Sequence, residues 1–144
     1  GMMGRIGDAV RQQAGLAYYA STSLNAWIGS GSWEVSAGVN PANVERVIEL
    51  ITRELSRFTS VPVSMEELTD SQTNFIGRMP LSLESNFGVA SALLSMERFE
   101  LGLDYLLRFP TLVNAITPEI VLETAQRYLK QEQMAVVSAG TNTA

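Results

Sequence analysis

The chain has 144 residues, no cysteine, no histidine and a formal net charge of -5. Those absences exclude disulfides, thiol catalysis and thiolate-bound zinc, and they remove the commonest metal ligand and general base. The Lys and Arg residues are scattered, so nothing holds a phosphate backbone and nucleic-acid binding is not expected; no apolar run is long enough to span a bilayer.

With 46% hydrophobic and 17% charged residues, the composition is that of a soluble globular protein. A chain of this length buries a core without a structural metal. A cytoplasmic location is favoured over others. The start, Gly1-Met2-Met3-Gly4-Arg5, does not read as a signal peptide, because a charge follows at once and no apolar segment comes next.

Met3, Ile6, Val10 and Ala14 recur at helical spacing and Gly15 suits the position after a helix end, which predicts a helix over about 3–14. Residues 16–28 carry aromatic and small residues without a helical stripe. Trp33, Val35, Ala37 and Val39 alternate with Glu34, Ser36 and Gly38. Gly29-Ser30-Gly31-Ser32 is a turn signal between them, so the two runs are expected to form an antiparallel hairpin. Trp27 and Trp33, flanking the turn, are expected to pair across it.

Asn40-Pro41 opens a helix, with Val44, Val47, Ile48, Ile51, Leu55 and Phe58 on one stripe. Ser64 and Glu67 form a capping box for the next, which should bury Leu68, Phe75 and Ile76 and end before Pro80. Another helix is expected over about 83–99, with Phe87, Ala90, Leu93 and Leu94 inward. Residues 103–116 look helical but should be broken or kinked at Pro110. Thr117-Pro118-Glu119 opens the last helix, with Val121, Ala125, Tyr128 and Leu129 on one face, and residues 134–139 read as a final strand. Strands and helices are segregated rather than alternating, so the predicted class is α+β: helices on one face of a mostly antiparallel sheet.

The stretch from Gly4 to Tyr19, GRIGDAVRQQAGLAYY, carries the most information. It resembles a signature in the second, non-zinc half of insulinase/pitrilysin-type zinc metallopeptidases. There an arginine near a helix end is followed by a Gln/Gly/Leu segment and a tyrosine on the next strand. Arg11 and Tyr18 match that pair in type and spacing. The resemblance continues through Val35-Ser36-Ala37-Gly38-Val39, Asn40-Pro41-Ala42-Asn43-Val44 and Glu66-Glu67-Leu68. It goes on through Leu81-Ser82-Leu83-Glu84-Ser85-Asn86, Ala115-Ile116-Thr117-Pro118-Glu119 and Ala125-Gln126-Arg127-Tyr128-Leu129, and so covers nearly the whole chain.

The resemblance implies a two-layer sandwich of the LuxS/processing-peptidase type. It makes residues 1–140 a C-terminal, inactive-type peptidase domain that lacks its first strand and helix, with 141–144 as a tail. In the family, zinc is held by a His-x-x-Glu-His motif and a further Glu in a homologous domain or subunit. The resemblance therefore implies no catalytic residue, metal ligand or cofactor in this chain, with zinc in the partner half. Arg11 and Tyr18 become the substrate-binding residues. An arginine offers a charged planar fork of donors and a tyrosine one hydroxyl on a rigid stem, both suited to holding a peptide whose hydrolysis passes through an oxyanion. The expected partners are that zinc-bearing half, a peptide substrate and, for the chain by itself, further copies in a homo-oligomer. The alternative is a structural or assembly domain of the same fold.

Taken singly, both residues have plainer readings. Arg11 suits a solvated helix end, and Tyr18 shares strand parity with Leu16, Ala20 and Leu24, as a core residue would. Tyr19, on the opposite face, is the lesser candidate for the same role. Glu66, Glu67 and Asp70 crowd one turn but read as an acidic helix start rather than a cation site.

Overall fold

The computed structural model describes residues 4–140. The expected helix start at Met3 and the expected tail at 141–144 lie outside the described residues. The fold is α+β: a two-stranded antiparallel sheet accompanied by helices. The chain divides into two compact units, one running to Val61 and resuming at Ala125, the other Pro62–Thr124.

The first unit opens with α1 (Arg5–Gly7), which runs directly into a π-helical turn (Asp8–Gln13). The Ala14 amide donates to the Ala9 carbonyl at 3.2 Å and the Leu16 amide to the Val10 carbonyl at 3.1 Å. These spans exceed the four residues of an ordinary α-helix. Gly15, at φ 62°, takes the left-handed position that turns the chain out of the helix. Two strands follow, β1 (Ala17–Trp27) and β2 (Ser30–Val39). The turn between them is tighter than the sequence predicts: Ile28-Gly29 alone makes it, with Gly29 at φ 77°, and Ser30, Gly31 and Ser32 belong to the strand.

Asn40 caps the next helix as expected, its Oδ1 accepting from the Ala42 amide at 3.0 Å. A 3₁₀ turn (Pro41–Asn43) leads into α2 (Val44–Phe58). The buried core of this unit is Ile6, Val10, Val47, Leu50 and Leu55, packed against Trp33, Val35, Ala37 and Val39 of β2. The predicted stripe on α2 is thus present, and Leu50, absent from that stripe, completes it. Gln126 and Gln131 tie the end of α2 down: their Nε2 atoms donate at 3.0 Å to the carbonyls of Thr59 and Thr52.

In the second unit, Ser64 Oγ accepts from the Glu67 amide at 3.1 Å, the predicted cap of α3 (Met65–Ser82). Ser64→Ala should cost about 1 kcal/mol by leaving that amide without its cap, whereas Ser64→Asp should be near neutral. Urea midpoints of the two variants check this, and equal midpoints would remove the cap as a stabilising feature. Two predicted proline breaks do not occur. Pro80 lies in the last turn of α3, where a missing amide costs at most one hydrogen bond, and Pro110 lies inside α5 (Tyr105–Asn114). Beside the bond that Pro110 cannot make, Tyr105 and Phe109 pack edge to face at 5.9 Å, one turn apart. Gln72 Nε2 joins α3 to the end of α5, donating at 3.0 Å to both the Val113 and Ile116 carbonyls.

Between them lies α4 (Asn86–Arg98), capped by Ser85. Here the sequence expectation fails. Phe87 is 83% exposed and Leu94 67%, Leu93 and Ala90 are also exposed, and on α3 Phe75 is exposed. Tyr128 of α6 (Pro118–Tyr128) is exposed as well. The spacing of apolar residues fixed a face for each helix but not that anything in the chain would cover it. Residues 134–139 form no strand: among the described residues no ladder pairs with them. An extended segment is a strand only when a neighbour supplies its hydrogen bonds.

Candidate functional site

Arg11 sits on the π-helical turn and is exposed, one residue after Val10, which is wholly buried. Tyr18 sits near the start of β1, and this strand packs against the π-helical turn. The two elements are brought together by the left-handed Gly15 between them.

The register of the hairpin decides what Tyr18 does. Ala17 faces Val39 and Tyr19 faces Gly38, so Tyr18 is an extra residue in β1, a β-bulge with no facing partner. Beyond it Ala20 faces Ala37, Thr22 faces Val35 and Leu24 faces Trp33. Facing residues share a side of the sheet. The side that meets the core therefore takes Ala17 before the bulge and Ala20 after it. The core reading of Tyr18 by strand parity is corrected: the bulge resets the alternation, and Tyr18 is 76% exposed. Tyr19 goes to the outer side with Ser21, Ser23 and Asn25, and is 52% exposed. On that side Asn25 Nδ2 and Ser32 Oγ donate to Glu34 Oε1 at 3.2 and 2.9 Å, a solvated polar cluster.

The register also separates the tryptophans. Trp33 faces Leu24 while Trp27 faces Ser30, which puts the two rings on opposite sides of the sheet. They are not a cross-strand pair, because the turn is two residues long and sets their offset.

Gly38 escaped the sequence reading. A Cβ built there would lie 2.7 Å from Cδ1 of Tyr19 and 3.1 Å from its Cζ, so the tyrosine ring occupies the space a side chain would need. A glycine inside a strand pattern, the usual mark of a bulge or a close approach, was the available signal.

No group of three or more acidic, His or Cys side chains among the described residues is arranged to hold a metal ion. Glu119, at the start of α6, has its carboxyl held below the usual carboxylate range, first by the Thr117 side chain and then by its own backbone amide. A lowered carboxylate there is a helix cap, not a base poised near neutrality. A hollow of about 210 Å³ lies between Trp33, Leu55, Tyr128, Leu129 and Met134. It is smaller than the pockets that enclose drug-sized ligands, and it offers no acid–base pair. No described helix is long and apolar enough to cross a membrane.

A family model described as the peptidase M16 inactive domain matches residues 1–75. The chain belongs to that family. The insulinase-type resemblance read from Gly4 to Tyr19 is thereby borne out, and the matched half contains Arg11, Tyr18 and Gly38. No curated protein matches the sequence. The M16 inactive-domain fold is shared with two solved structures, each 22% identical to this chain. One is a conserved protein from Enterococcus faecalis V583, with a TM-score of 0.77 over 88% of this chain and 29% of that one. The other is a peptidase M16 inactive domain from Pseudomonas fluorescens, with a TM-score of 0.80 over 90% of this chain and 31% of that one. At that identity the likeness establishes the fold. This chain spans less than a third of the length of either neighbour.

Proposed function

We propose that this M16 inactive domain is the peptide-holding half of a zinc metallopeptidase, with Arg11 and Tyr18 contacting the substrate and a homologous half supplying zinc and water. One observation carries the reading. The two residues singled out by sequence coincide with two backbone irregularities, a π-helical turn bearing Arg11 and a β-bulge bearing Tyr18. Both kinds of irregularity are enriched at functional sites, and a bulge re-aims a side chain. Both residues are exposed, as a contact to an external ligand requires.

The chemistry divides accordingly. Arg11 and Tyr18 can donate hydrogen bonds to peptide carbonyls and to a developing oxyanion. Neither supplies a base. Hydrolysis by the chain alone is therefore not expected, nor is tight zinc, since oxygen ligands alone match a catalytic zinc site poorly. Purified protein dialysed against zinc should retain far less than one equivalent by atomic absorption; a stoichiometric, tightly held ion would overturn this part of the reading. The function itself is tested by mixing the chain with a zinc-bearing M16 half. Cleavage of a fluorogenic peptide should need both.

The alternative, a structural or assembly domain, draws on the second unit. Phe87, Leu94, Leu103 and Leu107 are all exposed there, large apolar side chains that a partner surface would cover. Bare apolar surface of this kind predicts self-association. Sedimentation equilibrium of the chain alone should show a dimer or larger species that dissociates on dilution; a monomer at the highest concentrations would count against the assembly reading.

A further inference from the structure

We propose that Gly38 is a positioning residue of the peptide-holding site: by carrying no side chain it lets the Tyr19 ring lie across β2, and the ring seated there holds the bulge that displays Tyr18. The functional consequence rests on the substrate-holding reading of Tyr18. The structural part stands separately.

Two registers compete at the start of β1. An unbulged ladder beginning from the same Ala17–Val39 pair would set Tyr18 opposite Gly38 and Tyr19 opposite Ala37. A slip of one residue exchanges the two sides of a strand. Tyr19, Ser21 and Ser23 would then point to the side where Ala37, Val35 and Trp33 meet the core, and Ala20 would leave it. In the register observed, Ala20 occupies that side and is 1% exposed, while Tyr19 stands opposite Gly38. Two contacts therefore distinguish the bulged register from the in-line one: the buried Ala20 methyl and the Tyr19 ring on Gly38.

The second contact depends on glycine. Cδ1 of Tyr19 lies 2.7 Å from where a Cβ would stand on residue 38, and Cε1 is closer still. Non-bonded carbons do not approach to that distance, so the ring must leave this position once residue 38 carries a side chain. Gly38 is not among the glycines with positive φ. What it contributes is space, not an unusual backbone conformation. A glycine inside a strand normally weakens pairing and leaves backbone uncovered; here an aromatic ring from the facing residue covers it. Filling the space displaces the Tyr19 ring from the seat it holds only in the bulged register; in the in-line register the residue facing 38 is Tyr18.

The test is nuclear magnetic resonance on the full chain, with Gly38→Ala and Gly38→Val each in the native and the Tyr19→Thr background. Cross-strand Overhauser contacts Ala20–Ala37 and Thr22–Val35 mark the bulged register, and contacts of residue 19 with Ala37 and of Ser21 with Val35 mark the in-line one. In the native background both Gly38 substitutions should weaken the first set and raise the second. In the Tyr19→Thr background, with no ring to seat, they should change the pattern no further. An unchanged pattern in the Gly38 variants, or an equal effect in both backgrounds, overturns the proposal. Gly38→Ala adds one methyl and serves where the valine variant does not fold. In the assembled peptidase, Gly38→Ala should lower kcat/KM for a fluorogenic peptide about as much as Tyr18→Phe does, roughly 2- to 10-fold, and should add little to it in combination. A register change alongside full activity of Tyr18→Phe removes the substrate-holding reading and leaves the seat of Tyr19 on Gly38 supported.

Discussion

Replacing Arg11 by alanine should lower kcat/KM of the assembled peptidase about 10- to 150-fold, the equivalent of a charge-assisted hydrogen bond worth roughly 1.5–3 kcal/mol. Arg11 is exposed on the π-helical turn, so its removal should leave the fold of this half intact. Zinc belongs to the other half in this reading, so metal content should not change either. Arg11→Lys keeps the charge but loses the planar fork and should recover only part of the rate. Tyr18→Phe, which removes a neutral donor, should cost about 2- to 10-fold. If both residues act only on bound substrate in the transition state, kcat falls with kcat/KM; if they bind substrate and transition state equally, KM rises alone. Full activity in Arg11→Ala, with an unchanged melting temperature, would sink the peptide-holding reading and favour an assembly domain.

A large loss of stability is expected from Leu50→Ala. Leu50 is buried in the cluster with Ile6, Val10, Val47 and Leu55, and truncation of such a leucine leaves a cavity that costs about 2–5 kcal/mol. Leu94→Ala removes the same atoms from α4 but should stay within about 0.5 kcal/mol, because Leu94 is exposed. Helical spacing alone would rank the two alike. Urea titration in a Trp27→Phe background, with Trp33 as the reporter packed against the cluster, measures the first loss directly. Equal costs for the two leucines would mean that Leu94 is covered in solution, as it would be in an oligomer, and repeating both titrations across protein concentrations would separate that case.

The sequence was strongest where chemistry is local. Asn40, Ser64 and Ser85 each cap a helix with a side-chain oxygen on a nearby amide, and the first two were legible because capping needs only residues within three positions. Gly15 ended the first helix for a similar reason. The α2 stripe was legible because one face of that helix has the hairpin to pack on. The expected helix breaks at Pro80 and Pro110 did not occur, because a missing amide costs one hydrogen bond that neighbouring contacts can offset; Tyr105 and Phe109 pack edge to face beside Pro110.

By itself, then, the sequence determined the α+β class, the hairpin, the caps, the family and the two residues worth testing. It also determined what the chain lacks, since no arrangement of a chain without His or Cys restores those side chains. Only the tertiary structure decided the rest. The π-helical turn and the bulge are not visible as periodicity, because each adds a residue to a turn or a strand and so breaks the period by which sequence is read. The plainer core reading of Tyr18 by strand parity fell to that one inserted position. Phe87 and Leu94 are apolar in a helical pattern and yet exposed, because burial belongs to the neighbour that covers a face and not to the face itself.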